Sequence, residues 1–202
     1  MLGLALALGA APAHAGPTAY DQAFVDAFAG ACVPQRLSYE GTKETALGAG
    51  WAEVERGANT ELDTMMGISE AAATDPELKP VFDYALYAKP IEGVTHYLVV
   101  SRAEFDGPDA DRWAYIGCYL YNFDAEAAIA PEPVTALIGN PIGQTESDMH
   151  LTGYVWGPPP AMPRTLDTYL TFVPELSQYK DQTGFSGMVL KFDTSEPPSV
   201  GS

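Results

Sequence analysis

The chain has 202 residues and a strongly acidic balance, with 27 Asp and Glu residues against 10 Lys and Arg and a formal net charge of −17. Such a surface repels the phosphates of nucleic acids and the headgroups of anionic lipids, so we expect the protein to bind neither. The length is sufficient for one domain with a substantial hydrophobic core.

The first 15 residues have the pattern of a cleavable signal peptide. Leucines alternate with Gly and Ala from residue 2 to residue 8, and Ala13-His14-Ala15 places small side chains at the −3 and −1 sites of a signal peptidase. A membrane anchor would need about 20 apolar residues, so no transmembrane segment is expected. Lipidation at Cys32 is disfavoured because Asp21 interrupts the apolar stretch that would have to precede it. The sequence therefore predicts a periplasmic or secreted protein.

Three helices are predicted at the start of the mature chain. In the first, apolar residues recur at the spacing of one helical face, and Asp21 suits the positive end of the helix dipole. Hydroxyl side chains precede all three segments and can accept hydrogen bonds from the free N–H groups of the first turn. The predicted ranges are 19–31, 43–49 and 61–73, and the predicted N-caps are Thr18, Thr42 and Thr60.

Strands are predicted in the second half of the chain, where the apolar residues change to a period of two. The strongest strand covers residues 112–122. A short helix is expected at 131–138, ended by Gly139, and residues 140–164 are expected to be mostly loop. Further strands are predicted at 94–101, 151–156, 168–173 and 187–193.

The order of these elements indicates an α+β fold. Helices come first and strands follow, without the alternation that a parallel sheet requires, so we expect N-terminal helices packed on an antiparallel sheet. One domain is predicted to cover residues 16–193. Residues 194–202 carry no apolar anchor and are predicted to form a disordered tail.

The two cysteines are predicted to form a disulfide. Pairing is usual in exported proteins, although two buried free thiols would also fit the sequence. Cys32 continues the apolar face of the first helix, and Cys118 lies on the aliphatic face of the strand at 112–122, together with Ile116 and Leu120. If that helix packs on that face, the bridge joins the helix to the strand.

The opposite face of the same strand is aromatic and carries the main functional hypothesis. It presents Trp113, Tyr115, Tyr119 and Tyr121, with Gly117 between the second and third rings. Aromatic side chains offer a large rigid surface for sugars, peptides or apolar molecules. We therefore expect a non-catalytic domain that binds a small molecule, a glycan or a protein, and no cofactor. Packing of these rings beneath other elements is the competing interpretation.

Two further functions are kept as alternatives. A hydrolase would need an acid/base pair among the many carboxylates, and the sequence identifies none. A weak divalent-metal site would use Asp148 and His150, although a polar loop explains these residues as well. A serine hydrolase is disfavoured because the chain has no Gly-x-Ser-x-Gly motif to present a nucleophile.

Three short sequence features resemble a group of small exported proteins of unknown function from Gram-negative bacteria. These features are a phenylalanine-bearing N-terminal helix that ends in Cys32, the pair Gly50-Trp51, and a later strand with Cys118-Tyr119. The resemblance implies a periplasmic or secreted address and an α+β domain. It implies no activity and no site residues.

Overall fold

The computed structural model describes residues 16–74, 80–106 and 112–195. The predicted signal peptide lies outside these residues, as does the tail from residue 196 onward. The described helices are α1 (Ala19–Cys32), α2 (Tyr39–Gly48), α3 (Thr60–Ala72), α4 (Glu132–Ile138) and α5 (Lys180–Thr183), and the strands are β1 (Ala52–Val54), β2 (Val81–Ile91), β3 (Val94–Asp106), β4 (Arg112–Asn122), β5 (Ile142–Ser147), β6 (Thr152–Trp156), β7 (Thr165–Val173) and β8 (Gly187–Ser195).

All eight strands belong to one antiparallel sheet with the order β1-β2-β3-β4-β8-β7-β6-β5. The sheet therefore consists of two antiparallel meanders that meet where β4 pairs with β8. Helices α1, α2 and α4 pack together on one face, and α3 covers part of the other. This arrangement confirms the predicted α+β class.

The larger core lies between α1 and the sheet. Phe24 and Phe28 are fully buried there, and the ring of Phe28 meets that of Phe192 edge to face, with 5.2 Å between centroids. Helix α1 begins with a capping box in which Thr18 and Asp21 each accept a hydrogen bond from the other's backbone N–H. The predicted start and N-cap of this helix are therefore confirmed.

The disulfide Cys32–Cys118 joins the end of α1 to the middle of β4. Both cysteines are buried in the larger core. The aliphatic residues of β4 face α1 as predicted, with Ile116 and Leu120 buried on the same side. The predicted link between helix and strand is confirmed.

The predicted caps of the second and third helices are wrong. Helix α2 is capped by Ser38, whose Oγ accepts from the N–H of Gly41, while Thr42 lies inside the helix and donates to the carbonyl of Gln35. Helix α3 is capped by Asn59 instead of Thr60. A hydroxyl can bond to the backbone from inside a helix as well as from its start, so its presence does not fix the boundary.

Three strands that the sequence did not predict, β1, β2 and β5, complete the sheet. Strand β2 pairs with β3 through a two-residue turn in which Glu92 and Gly93 both have positive φ, as a type I′ hairpin requires. Strand β5 lies in the segment that was expected to be loop. The sequence does not indicate this strand because five of its six residues are exposed and give no apolar alternation. Strand β8 also extends two residues into the predicted tail, to Ser195.

The smaller core lies beneath α3, on the face of the sheet opposite α1. Leu62, Met65 and Met66 of the helix pack there against Tyr121 of β4 and Phe185, which follows α5. Among the described residues, no helix has the length and apolar character needed to cross a bilayer.

Candidate functional site

The predicted aromatic residues share one face of β4 but lie in three different environments. Tyr121 belongs to the smaller core and is 9% exposed, whereas Trp113 is 46% exposed and stacks on Phe105 of β3 at 4.4 Å. Tyr115 meets the Trp113 ring edge to face at 5.2 Å. Tyr119 lies between these two groups and is partly exposed. The four rings therefore do not form one continuous surface.

Tyr119 lines a cavity of about 430 Å³ between α3 and the sheet, which we call the α3 cavity. Its apolar walls come from both layers and include Met65, Met66 and Ile68 of α3, Phe82 of β2, and Phe185. Methionine and aromatic side chains together make adaptable contacts with ring-containing molecules. The helix side of the cavity is thus mostly apolar and polarizable.

The sheet floor of the α3 cavity supplies most of its polar groups, and Ser69 of α3 and Thr183 of α5 supply the others. The polar residues of the sheet are Ser101 of β3, Tyr119 of β4, Lys191 of β8 and Thr171 of β7. Tyr119 is opposite Lys191, whereas Ser101 is opposite Gly117 and Thr171 is opposite Val189, so the four side chains follow a diagonal across neighbouring strands. A mostly apolar cavity with a few polar groups is typical of small-molecule sites.

The ring of Tyr119 lies over Gly117, in the space that a Cβ atom at residue 117 would occupy. In this position the Tyr119 hydroxyl donates a hydrogen bond of 2.6 Å to Oδ1 of Asp193, which is opposite Gly117 on β8. Burial raises the pKa of the Tyr119 phenol well above its ordinary value, and the nearby Asp193 carboxylate raises it further. The phenol therefore remains a hydrogen-bond donor, and its ring is fixed along the strand.

Lys191 lies between two tyrosine rings. Its Nζ atom is 5.6 Å from the ring centroid of Tyr119 and 5.2 Å from that of Tyr169 on β7. These distances are within the range of cation–π attraction. The ammonium group is thus held at the sheet surface on the wall of the α3 cavity.

A second cavity, of about 520 Å³, lies on the same sheet face toward β5, and we call it the edge cavity. Gln144 and Glu146 of β5, Val155 of β6 and Tyr169 of β7 contribute to its walls. Thr171 lines both cavities, so the two are adjacent across β7. The sequence did not predict this cavity because β5 was expected to be loop.

His96 lies on the opposite face of the sheet and is fully buried. Its Nε2 accepts from the Tyr20 hydroxyl at 2.8 Å and its Nδ1 donates to the carbonyl of Val94 at 2.9 Å, which assigns the proton to Nδ1. The Tyr20 oxygen also accepts from Nδ2 of Asn122 at 2.6 Å. Burial lowers the pKa of His96. Its hydrogen bonds link α1 to the sheet, and no serine takes part in them.

Asp148 and His150, the predicted metal ligands, lie in the turn between β5 and β6. Asp148 Oδ1 accepts from the backbone N–H groups of His150 at 2.6 Å and Leu151 at 2.8 Å, and these bonds lower the pKa of its carboxyl group. The His150 ring packs edge-on against Tyr179. Within the described ranges, no three His, Cys, Asp or Glu side chains are grouped to hold a metal ion. The structure gives Asp148 a role in shaping its own turn.

Two carboxylates share partners near the start of α3. The Ser186 Oγ atom lies 2.6 Å from Glu175 and 2.9 Å from Glu61, so its single proton can be donated to either carboxylate. Lys180 lies 2.6 Å from Glu175 and 3.4 Å from Glu61. The hydrogen bond from Lys180 is the main reason that the pKa of Glu175 is lowered. These contacts fasten α3 to the segment between β7 and β8. A hydrolase pair would need a carboxyl group of raised pKa in a cleft, and no described Asp or Glu lines the α3 cavity.

The sequence contains weak signals for the residues of the α3 cavity. Met65 and Met66 are adjacent on a helix and are equally typical of an ordinary core. Lys191 is the only charged residue between Met188 and Phe192, and it points away from their apolar side. Neither signal shows that α3 crosses the aromatic face. Comparisons of the chain with models of protein families, with curated proteins and with solved structures find no match.

Proposed function

We propose that this protein is a binding domain for a small molecule with an apolar ring system, which it holds in the α3 cavity. The observation that carries this proposal is the cavity itself, with its Met65, Met66 and Phe185 walls and its polar floor. Its volume of about 430 Å³ lies within the range of roughly 300–1,000 Å³ that is usual for ligand sites. The proposal narrows the expected binding surface from the whole aromatic face to the part beside Tyr119.

The composition of the walls supports binding more than catalysis. The cavity lining contains no described carboxylate or imidazole that could serve as a general base. Tyr119 is bonded to Asp193 and has a raised pKa, so it is a poor proton acceptor. The groups that remain suit the positioning of a ligand.

We also propose that the protein acts outside the cytoplasm. The Cys32–Cys118 disulfide supports this address, because such bonds persist in oxidising compartments and are rare in the cytosol. The signal-peptide pattern of residues 1–15 supports the same address from the sequence. A ligand taken from the periplasm or the medium is consistent with both features.

The proposed function can be tested by calorimetric titration with naphthalene-2-carboxamide, a neutral two-ring probe. Ser69 of α3 lines the cavity, and Ser69→Phe is expected to place a ring in it and to weaken binding more than about tenfold, because the ring occupies part of the ligand's space. Thr64→Phe, at an exposed position on the same helix that does not line the cavity, is the matched control. It should bind the probe like the wild type.

Two results would contradict the proposal. One is the absence of saturable binding by the wild-type protein of both this probe and its carboxylate analogue, naphthalene-2-carboxylate, up to their solubility limits. The other is equal affinity of Ser69→Phe and the wild type, since the added ring takes space that the ligand needs. Far-ultraviolet circular dichroism of each variant checks that the fold is retained.

A further inference from the structure

Resting on the proposed function, we propose that the ligand is a carboxylate and that Lys191 recognises its negative charge. The α3 cavity would then hold the apolar rings of the ligand against α3 and its carboxylate against the sheet floor. This assigns to Lys191 the choice between an acid and a neutral molecule of the same shape. The following observations carry the inference.

Lys191 is the exception among the basic residues. Its Nζ makes no hydrogen bond and no ion pair within the described part of the chain, although carboxylates outnumber basic groups by 27 to 10 in the full sequence. The other lysine and arginine side chains that the structure describes each have at least one such partner; these are Arg36, Lys43, Arg56, Lys89, Arg102, Arg164 and Lys180.

Lys191 lies on the wall of the cavity, where its unpaired charge can interact with a ligand. The ammonium group is partly buried and has two tyrosine ring faces beside it, which attract it without neutralising its charge. A partly buried cation without a counter-ion is costly, so such a group is unusual unless something else supplies the charge. A carboxylate in the α3 cavity would supply it.

The neighbours of Lys191 favour a carboxylate over a cationic or neutral group. Thr171 lines the cavity from the adjacent strand, and its hydroxyl makes no hydrogen bond to another described residue, so it is free to donate. Asp193, two residues further along β8, already accepts from Tyr119. A single ammonium point charge with a hydroxyl suits one carboxylate, whereas phosphate sites usually combine arginine forks or several backbone N–H groups.

The test compares naphthalene-2-carboxylate with naphthalene-2-carboxamide, which have the same shape and differ in charge. We expect the wild-type protein to bind the carboxylate about ten- to a hundredfold more tightly, as for a hydrogen bond between charged groups. Lys191→Met retains the aliphatic stem and removes the charge, so it should abolish this preference. Lys191→Arg retains the charge and should keep most of it.

Lys89→Met is the matched control. Lys89 also lies beside an aromatic ring, with its Nζ 5.9 Å from the Trp51 centroid, but it donates to the carbonyl of Ala49 and does not line the α3 cavity. This variant should keep the preference for the carboxylate. Equal binding of the two probes by the wild type, or an undiminished preference in Lys191→Met, would overturn the inference and leave the cavity proposal standing. Failure of both probes to bind would remove the cavity proposal and this inference with it.

Discussion

Gly117 and Tyr119 form the contact that shapes the polar side of the α3 cavity. A strand interior gains little from glycine, which packs no side chain. Here the missing Cβ leaves room for the Tyr119 ring, and the ring lies flat enough for its hydroxyl to reach Asp193. Aromatic rings often cover strand glycines in this way. The contact with Tyr119 therefore explains why residue 117 is glycine, which the alternation of apolar and aromatic residues in β4 does not explain.

The first prediction concerns Gly117→Ala. The added methyl group collides with the Tyr119 ring, so the free energy of unfolding should fall by about 1–3 kcal/mol, the usual cost of overpacking. Gly153→Ala on β6 is the control, since its Cβ would meet only Leu151 at an ordinary 3.4 Å. Urea unfolding measures both. The same Gly117→Ala change should cost much less in a Tyr119→Ala background, and equal costs in the two backgrounds would show that the ring is not responsible.

His96 makes the stability of the folded protein depend on pH. Burial lowers its pKa below the ordinary value of 6.5, so the folded protein keeps the imidazole neutral where the unfolded chain already binds a proton. The stabilisation of the folded protein by neutral His96 is complete above pH 6.5 and is lost as the pH falls through the lowered pKa. Tyr20 and Val94, the partners of the neutral ring, would then face a charged one.

The second prediction is that His96→Gln reduces the loss of stability on acidification. Urea unfolding at a series of pH values between about 7.5 and 5.5 isolates histidine from most carboxylates. The variant should also be less stable at pH 7.5 by about 1–3 kcal/mol, because its buried partners lose a well-placed ring. Gln22→Ala, at an exposed position of α1, changes no titratable group and serves as the control; it should keep the wild-type slope. If the free energy of unfolding falls equally with pH in the wild type and in His96→Gln, the proposed role of His96 is contradicted.

At the scale of elements, the disulfide holds α1 on the sheet. Cys32 and Cys118 are separated by 86 residues, so the bond closes a long loop in the unfolded chain. In the chain-entropy model such a loop corresponds to about 4–5 kcal/mol of stability. Because both cysteines are buried in the larger core, the bond also fixes where α1 lies relative to β4.

The third prediction is that the double variant Cys32→Ala, Cys118→Ala loses about 4–5 kcal/mol of unfolding free energy, as measured in urea. Reduction of the wild-type protein should produce a similar loss. The same reductant should leave the double variant unchanged, which controls for other effects of the reagent. Coincident unfolding curves for the oxidised wild type and the double variant would show that the bond contributes nothing.

The elements could be predicted where one face is buried and apolar. Helix α1 and strand β4 have such faces, and their bounds were predicted to within a residue. Strand β5 has no buried face, and the two-residue turn at Glu92-Gly93 was not recognised as the end of β2. The predicted start of a helix was wrong where more than one hydroxyl side chain could serve as the N-cap, as Ser38 and Thr42 could in α2.

At the scale of the whole molecule, the site depends on contacts between distant parts of the chain. The alternation of β4 predicted an aromatic face, but nothing local to β4 shows that α3 covers Tyr121 and leaves Tyr119 beside a cavity. The pairing of β8 with both β4 and β7 places Lys191 between two tyrosines. Such pairings are set by the fold as a whole, and the sequence pattern predicts only which face each residue takes.

The central claim is that a ligand binds in the α3 cavity, and methionine methyl groups report on it directly. In NMR spectra of protein labelled with ¹³C at the methionine methyl groups, titration with naphthalene-2-carboxylate should shift the signals of Met65 and Met66, which line the cavity. Met162 and Met188, buried in the larger core, and the exposed Met149 should not respond. If Met65 and Met66 stay unchanged while the probe binds, or if only Met149 responds, the α3 cavity is not the binding site.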